Sequence, residues 1–363
     1  MSHYLSQYFR KPMIFLFALS LLIVAGCGTD RTNGTESSAV GPDEKKVEKS
    51  GKLTVYTALI EDEAAFLLGE FEKASGVDVN FIRLSAGEIL ARLQAEKNNP
   101  QASVWLGGSS DTFIAASNQE LLEKYTAAGI DMIPKEYNDP TGHWTPVTVG
   151  AIAFVSNSDW LASHNMAPPA SWEDLKKPEF KDQIAMAHPA TSGTSFTTLS
   201  TVVQLLGEEE AYSYLKEMNH NIRQYTKSGS APVRMAGLGE VAVGIAFTQD
   251  ILQAKSQGYK LTMSFPSEGT GFEVSAAALI KGAPANELEN AKKFMDWVIS
   301  KDAQNLLKES YRLPVHPAAD TPEGAVKLSE ITLIEYDAEW AGERRKDLIS
   351  RFETQIKGKE DVK

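Results

Sequence analysis

The chain has 363 residues, 42% hydrophobic and 23% charged, with 36 Lys+Arg against 48 Asp+Glu. A chain of this size and composition buries a core without covalent staples and has room for two domains. A formal charge of −12 argues against a bulk electrostatic grip on nucleic acid or anionic lipid. One cysteine excludes an intramolecular disulfide and any Cys-pair zinc or iron–sulfur site. The six histidines are scattered, and no metal site is expected.

Arg10 and Lys11 precede the apolar run Met13–Val24, which is too short to span a bilayer. Basic residues, a short apolar core and small residues after it read as a secretory signal. The run ends Val24-Ala25-Gly26-Cys27. This resembles the lipobox of bacterial lipoproteins, which implies cleavage after residue 26 and lipidation of Cys27. Two or more acyl chains anchor stably where one would not. Residues 28–50 are polar and almost free of large apolar side chains, so they read as a flexible tether on the order of 25 Å long. The expected segments are therefore a signal peptide over 1–26, a lipidated cysteine and tether over 27–50, and a globular body from 51.

Lys52–Thr57 reads as a strand and Glu61–Ala74 as an amphipathic helix stopped by Gly76. Val77–Ile82 is a second strand. Ser85-Ala-Gly-Glu88 fits a capping box for a helix to about Glu96. Ala102–Leu106 is a third strand, followed by Gly107-Gly108-Ser109-Ser110 and a further helix. Strands are also expected at 148–155, 183–187, 241–247, 261–265 and 273–280, and helices at 194–206, 208–218 and 286–299. Alternating strands and helices imply an α/β architecture with parallel sheet covered on both faces. Ligands of such sheets bind beyond the carboxyl ends of the strands, at helix N-termini.

Five junctions share one composition: Ser85-Ala-Gly87, Gly107–Ser110, Thr191–Ser195, Ser228–Pro232 and Glu268–Gly271. Small hydroxyl residues and glycines before a helix expose N–H and O–H donors, which hold an oxyanion without formal positive charge. Each alone is an ordinary N-cap; the recurrence is the signal. Trp105, Trp144, Phe196 and Phe272 flank these junctions and fit core packing better than a pocket wall. No P-loop, His-Glu-x-x-His or Gly-x-Ser-x-Gly is present, so no catalytic residue is assigned and a secreted hydrolase is disfavoured.

Leu53-Thr-Val-Tyr-Thr57, Phe71-Glu-Lys-Ala-Ser-Gly-Val77, Glu96–Pro100, Ala102–Gly108, Gly239–Phe247, Lys281-Gly-Ala283 and Ala291–Trp297 occur in an order that resembles extracytoplasmic solute-binding proteins of ABC importers. The branch indicated includes ferric-iron binders and organophosphate binders. The resemblance implies a two-lobed type II periplasmic-binding-protein fold with a two-crossover hinge. Lobe 1 would combine residues 51–147 and 267–363, and lobe 2 would be 148–266. It also implies permease and ATPase partners, no cofactor, action as a monomer, and no nucleic-acid role.

Iron binders of this kind place adjacent tyrosines after the strand matching Val241–Phe247; here the positions read Thr248-Gln249-Asp250. Tyr225, Tyr259 and Tyr311 are isolated. The loops instead resemble relatives that bind hexose phosphates or aminoalkylphosphonates. By that resemblance Ser192, Gly193, Thr194, Ser195, Ser228 and Ser230 donate to phosphoryl oxygens. Ser85, Gly87, Gly108 and Ser109 close over the anion. Asp250 and Glu268 accept from sugar hydroxyls or pair with an ammonium, with Gln249 and Glu273 beside them. The bland alternatives are a helix-dipole charge for Asp250 and a salt-bridged strand residue for Glu273. Two further readings stay open: a ferric-iron importer, and a sensor subunit partnered with a histidine kinase.

Overall fold

The computed structural model describes residues 51–356, all within one compact unit, Val47–Lys363. The expected signal, Cys27 and tether lie outside the described residues.

The chain begins β1 (Lys52–Thr57), α1 (Glu61–Ser75), β2 (Asp78–Arg83), α2 (Ala86–Ala95), β3 (Val104–Ser109), α3 (Ser110–Ser117) and β4 (Leu122–Glu123). It continues β5 (Thr145–Asn157), α4 (Ser158–Ser163), β6 (Ile184–Ala187), α5 (Gly193–Leu206), α6 (Glu208–Met218), β7 (Ile222–Thr226), α7 (Ala231–Gly237), β8 (Val243–Phe247), α8 (Thr248–Ser256) and β9 (Leu261–Ser264). It ends β10 (Phe272–Ile280), α9 (Leu288–Val298), α10 (Lys301–Leu306), β11 (Leu313–Pro314) and α11 (Ala338–Gln355).

Strand order is β2-β1-β3-β10-β5-β8-β6-β7, with β4 on β10 and both β9 and β11 on β5. The βα units at each end are parallel: β1 with β2 and β3, and β6 with β7 and β8. β5 joins them. Its residues Thr145–Ala151 run antiparallel to β10, and Ile152–Ser156 antiparallel to β8. Every residue of this thirteen-residue strand is buried, in keeping with its unbroken small and apolar run. The chain crosses back between β9, which pairs with the second part of β5, and β10, which pairs with the first.

Local chemistry explains the elements. In α1 the apolar positions Ala64, Leu67, Leu68 and Phe71 form the buried stripe, and Gly76 takes the left-handed conformation that ends it. One core holds Leu53, Val55, Phe71, Trp105, Phe113 and Phe294. Trp105 stacks on Phe113 at 4.1 Å, so it packs the core as expected. Two further clusters lie on the other half of the sheet, around Phe154, Phe196 and Tyr212, and around Val155, Val233 and Ile251.

Besides the short elements α4, α10, β4 and β11, which the sequence reading lacks, three features depart from it. Gly107, Gly108 and Ser109, expected in a loop, complete β3; both glycines have positive φ, and the β3–β10 register shifts beside them. β7 and α11 were not foreseen. α11 is the longest helix described, at 18 residues. It is strongly polar, and its Ala341, Leu348 and Phe352, with Ile356 just after it, join the second core with Leu199 and Tyr212. The stretch 267–363 therefore does not pack with the first core alone.

Candidate functional site

One cavity collects the junctions that the sequence singled out. Its wall includes Ser85 before α2, Gly108 and Ser109 at the end of β3, and Ser192, Gly193 and Thr194 opening α5. Ser228 and Ser230 come from the loop before α7, Gln249 and Asp250 from the first turn of α8, and Glu273 from β10. Eleven of the fourteen expected site residues thus converge, from both parallel units of the sheet.

Three do not line it. Ser195 is buried in α5 and donates its hydroxyl to Ala187 O; its N–H is capped by Ser192 Oγ at 3.4 Å. Glu268 is exposed, and its carboxylate accepts the Trp172 N–H at 3.1 Å. Gly87 sits behind the wall, where its N–H donates to Thr191 O at 2.9 Å. A Cβ at Gly87 would lie 2.2 Å from Ala190 O and 2.8 Å from Thr191 O. Glycine there permits backbone-to-backbone approach between α2 and the 190–191 turn.

Two arginines in the wall escaped the sequence reading. Arg83 ends β2; its Nη2 donates to Ser228 Oγ at 2.9 Å and its Nε to Leu59 O at 3.3 Å. Its place at the carboxyl end of a strand, two residues before Ser85, was an available signal. Arg312 had none: its partners are Glu63, Asp250 and Glu273, distant in the chain. Arg312 Nη2 donates to Glu63 Oε2 at 3.0 Å and Nε donates to the other Glu63 oxygen. Asp250 stands 4.0 Å and Glu273 3.9 Å from the same guanidinium. Gln249 Nε2 donates to Glu273 Oε1 at 2.9 Å.

The cavity is therefore polar in two different ways. Toward α5 and α7 it presents hydroxyls, helix-start N–H groups and Arg83. Ser85 is buried there at the start of α2 in the expected capping box with Glu88, whose carboxylate accepts the Ser85 N–H at 3.0 Å, and Ser228 and Ser230 share one hydrogen bond at 3.0 Å. Toward α8 and β10 it presents carboxylates around one guanidinium. Burial pushes Asp250 up to about 6 and Glu273 up to about 8, with Arg312 pulling both the other way. Burial also works against the charge of Arg312, but Glu63, Asp250 and Glu273 outweigh it and raise its pKa.

Residues 103–337 match the model of a family described as bacterial extracellular solute-binding protein. The chain belongs to that family. A solved structure of the periplasmic binding protein AfuA from Actinobacillus pleuropneumoniae, with fructose 6-phosphate bound, matches with a TM-score of 0.82 and 37% identity, covering 85% of this chain and 99% of the other. An uncharacterised protein of Haemophilus influenzae is 36% identical over 85% of this chain and 91% of its own length. A Salmonella paratyphi A protein named a putative 2-aminoethylphosphonate-binding periplasmic protein is 27% identical over 68% of this chain and 72% of its own.

The fold of this solute-binding protein is mixed α/β and two-lobed. Among the described residues no helix is long and apolar enough to cross a membrane. The aromatic residues flagged beside the loops belong to cores or lie apart from this cavity; Phe247 is the aromatic side chain in its wall.

Proposed function

We propose that the chain is the extracytoplasmic receptor of an ABC importer and captures a small organophosphate or phosphonate between its lobes, residues 51–147 with most of 267–363 forming one and 148–266 the other. The phosphoryl group is read as held by Ser192, Gly193, Thr194, Ser228, Ser230 and Arg83, with Ser85 and Gly108 over it. The other end of the ligand, bearing hydroxyls or an ammonium, faces Asp250, Gln249, Glu273 and Arg312. The observation that carries this reading is the two-ended cavity, donors at one end and carboxylates at the other. The relatives named for fructose 6-phosphate and 2-aminoethylphosphonate support it, since each of those molecules is itself two-ended in this sense.

Binding, release to a permease, and no turnover complete the proposal. The protein would act as a monomer, held at the membrane by lipid on Cys27 after removal of residues 1–26. Ferric iron fits the cavity less well. The wall contains no tyrosine to supply a phenolate, and a guanidinium occupies the centre of the carboxylates.

A thermal-shift screen tests the ligand class, using fructose 6-phosphate, 2-aminoethylphosphonate, inorganic phosphate and ferric ion. A ligand at 100 times its dissociation constant stabilises by about 2.7 kcal/mol. A shift with either organic phosphorus compound is expected. A shift with ferric ion alone would overturn the anion assignment.

A further inference from the structure

Asp111 lies outside the cavity wall and is fully buried in the first turn of α3. Its two oxygens receive four hydroxyl hydrogens. Oδ1 accepts from Ser109 at 2.8 Å and Thr112 at 2.9 Å; Oδ2 accepts from Thr197 at 3.1 Å and Tyr336 at 2.8 Å. The cation beside it is Arg345, whose Nη1 is 3.9 Å away. Arg345 is in turn held by Thr112 Oγ1 at 3.2 Å, Pro189 O at 3.4 Å and the face of Phe196 at 4.1 Å.

These partners come from three separate parts of the chain. Ser109 is in the cavity wall at the start of α3. Thr197 is in α5, one turn beyond the wall residues Ser192–Thr194. Tyr336 and Arg345 belong to the segment around the start of α11. A buried carboxylate is costly unless its lone pairs are filled. Here they are filled when α3, α5 and the 336–345 segment hold this arrangement. A fully satisfied polar network of this kind specifies one geometry.

We propose that Asp111 is a positioning residue for the cavity, resting on the reading of that cavity as the ligand site. It acts in two ways. Through Thr197 it sets the spacing between Ser109 and the start of α5. By taking the one hydroxyl hydrogen of Ser109, it leaves that oxygen with lone pairs only, so Ser109 accepts an O–H or N–H of the ligand and does not donate to a bare phosphoryl oxygen. The second point revises the donor role expected for the Ser109 hydroxyl.

Thr197 separates positioning from mere stability, because it touches Asp111 and lies outside the wall. In the full chain, Thr197→Val keeps shape and removes the hydroxyl, and Thr197→Ser restores it. Calorimetric titration with fructose 6-phosphate should show affinity about fivefold to tenfold weaker for Thr197→Val and near that of the unaltered chain for Thr197→Ser. Hydrogen exchange of ligand-free protein should show the amides of Ser195 and Phe196, which bond to Ser192 Oγ and Ser192 O, less protected in Thr197→Val alone. Equal affinity in the two variants would overturn the proposal. If the unaltered chain binds no fructose 6-phosphate, the reading of the cavity falls for that ligand, and exchange still decides on Asp111: loss of protection confined to Thr197→Val supports its role, and equal protection overturns it.

Discussion

Arg83 and Ser228 are 145 positions apart in the chain, yet Arg83 Nη2 donates to Ser228 Oγ at 2.9 Å. This bond joins the end of β2 to the loop before α7, so the cation closes the hydroxyl end of the cavity from the opposite unit of the sheet. Hydrogen bonds to charged groups contribute about 1.5–3 kcal/mol. Arg83→Gln is therefore expected to weaken fructose 6-phosphate about tenfold to a hundredfold by calorimetric titration. Binding at unaltered strength would remove Arg83 from the phosphoryl site.

Asp250 should divide ligands by their far end. Asp250→Asn keeps the size of the side chain and withdraws an anionic acceptor from beside Arg312. Affinity for fructose 6-phosphate is expected to fall about tenfold or more, while inorganic phosphate, which cannot reach both ends, binds as before. Equal losses for both probes would show that Asp250 faces the phosphoryl group instead.

The buried acids set a pH dependence of known sign. Asp250 and Glu273 are lifted to about 6 and about 8, so the folded chain holds these protons more tightly than the unfolded one. Their contribution to stability is full below the ordinary carboxylate range and is lost as pH rises through about 6 and then about 8. Urea midpoints of the ligand-free chain should fall between roughly pH 5 and roughly pH 9, and Glu273→Gln should remove the portion of the fall near the higher value. Identical profiles for the two chains would contradict this.

Gly87 tests close approach. Its alanine variant would place Cβ 2.2 Å from Ala190 O. The clash is relieved by separating α2 from the 190–191 turn, which widens the cavity between Ser85 and Ser192. Gly87→Ala is expected to weaken binding and to increase the radius of gyration measured by X-ray scattering. Unchanged binding would mean that the turn moves without disturbing the wall.

Cys27 tests the proposed anchor. Cys27→Ser should shift the protein from the membrane fraction to the soluble fraction, because one thiol is the attachment point for the acyl chains. Retention on membranes of Cys27→Ser from which residues 1–26 have been removed would rule lipidation out as the anchor.

Much of the site could be read from sequence because its elements announce themselves locally. Ser85, Ser109, Ser192, Ser228 and Asp250 sit where strands hand over to helices, and glycine and hydroxyl residues mark those points over a few positions. Ser195 and Glu268 shared the composition and failed, since composition does not say which way a side chain points: Ser195 turns back to Ala187 O, and Glu268 caps the Trp172 N–H. α11 carries too narrow an apolar stripe among charged residues to stand out, and its place depends on a groove formed by other helices.

The sequence by itself determined the alternation of strands and helices, the order of segments shared with solute-binding proteins, and the glycine and hydroxyl composition of the loops. All of these rest on short-range periodicity and turn chemistry. Only the tertiary structure decided the charge pattern of the cavity. Arg312 meets Glu63, Asp250 and Glu273, and Asp111 meets Thr197, Tyr336 and Arg345, across distances that no local pattern records. The physical reason is burial: a charge withdrawn from water must find its partners in space, and the folded sheet determines which ones it finds. The acidic chain that argued against polyanions thus holds arginine at both ends of its cavity, where short-range geometry outweighs the net charge.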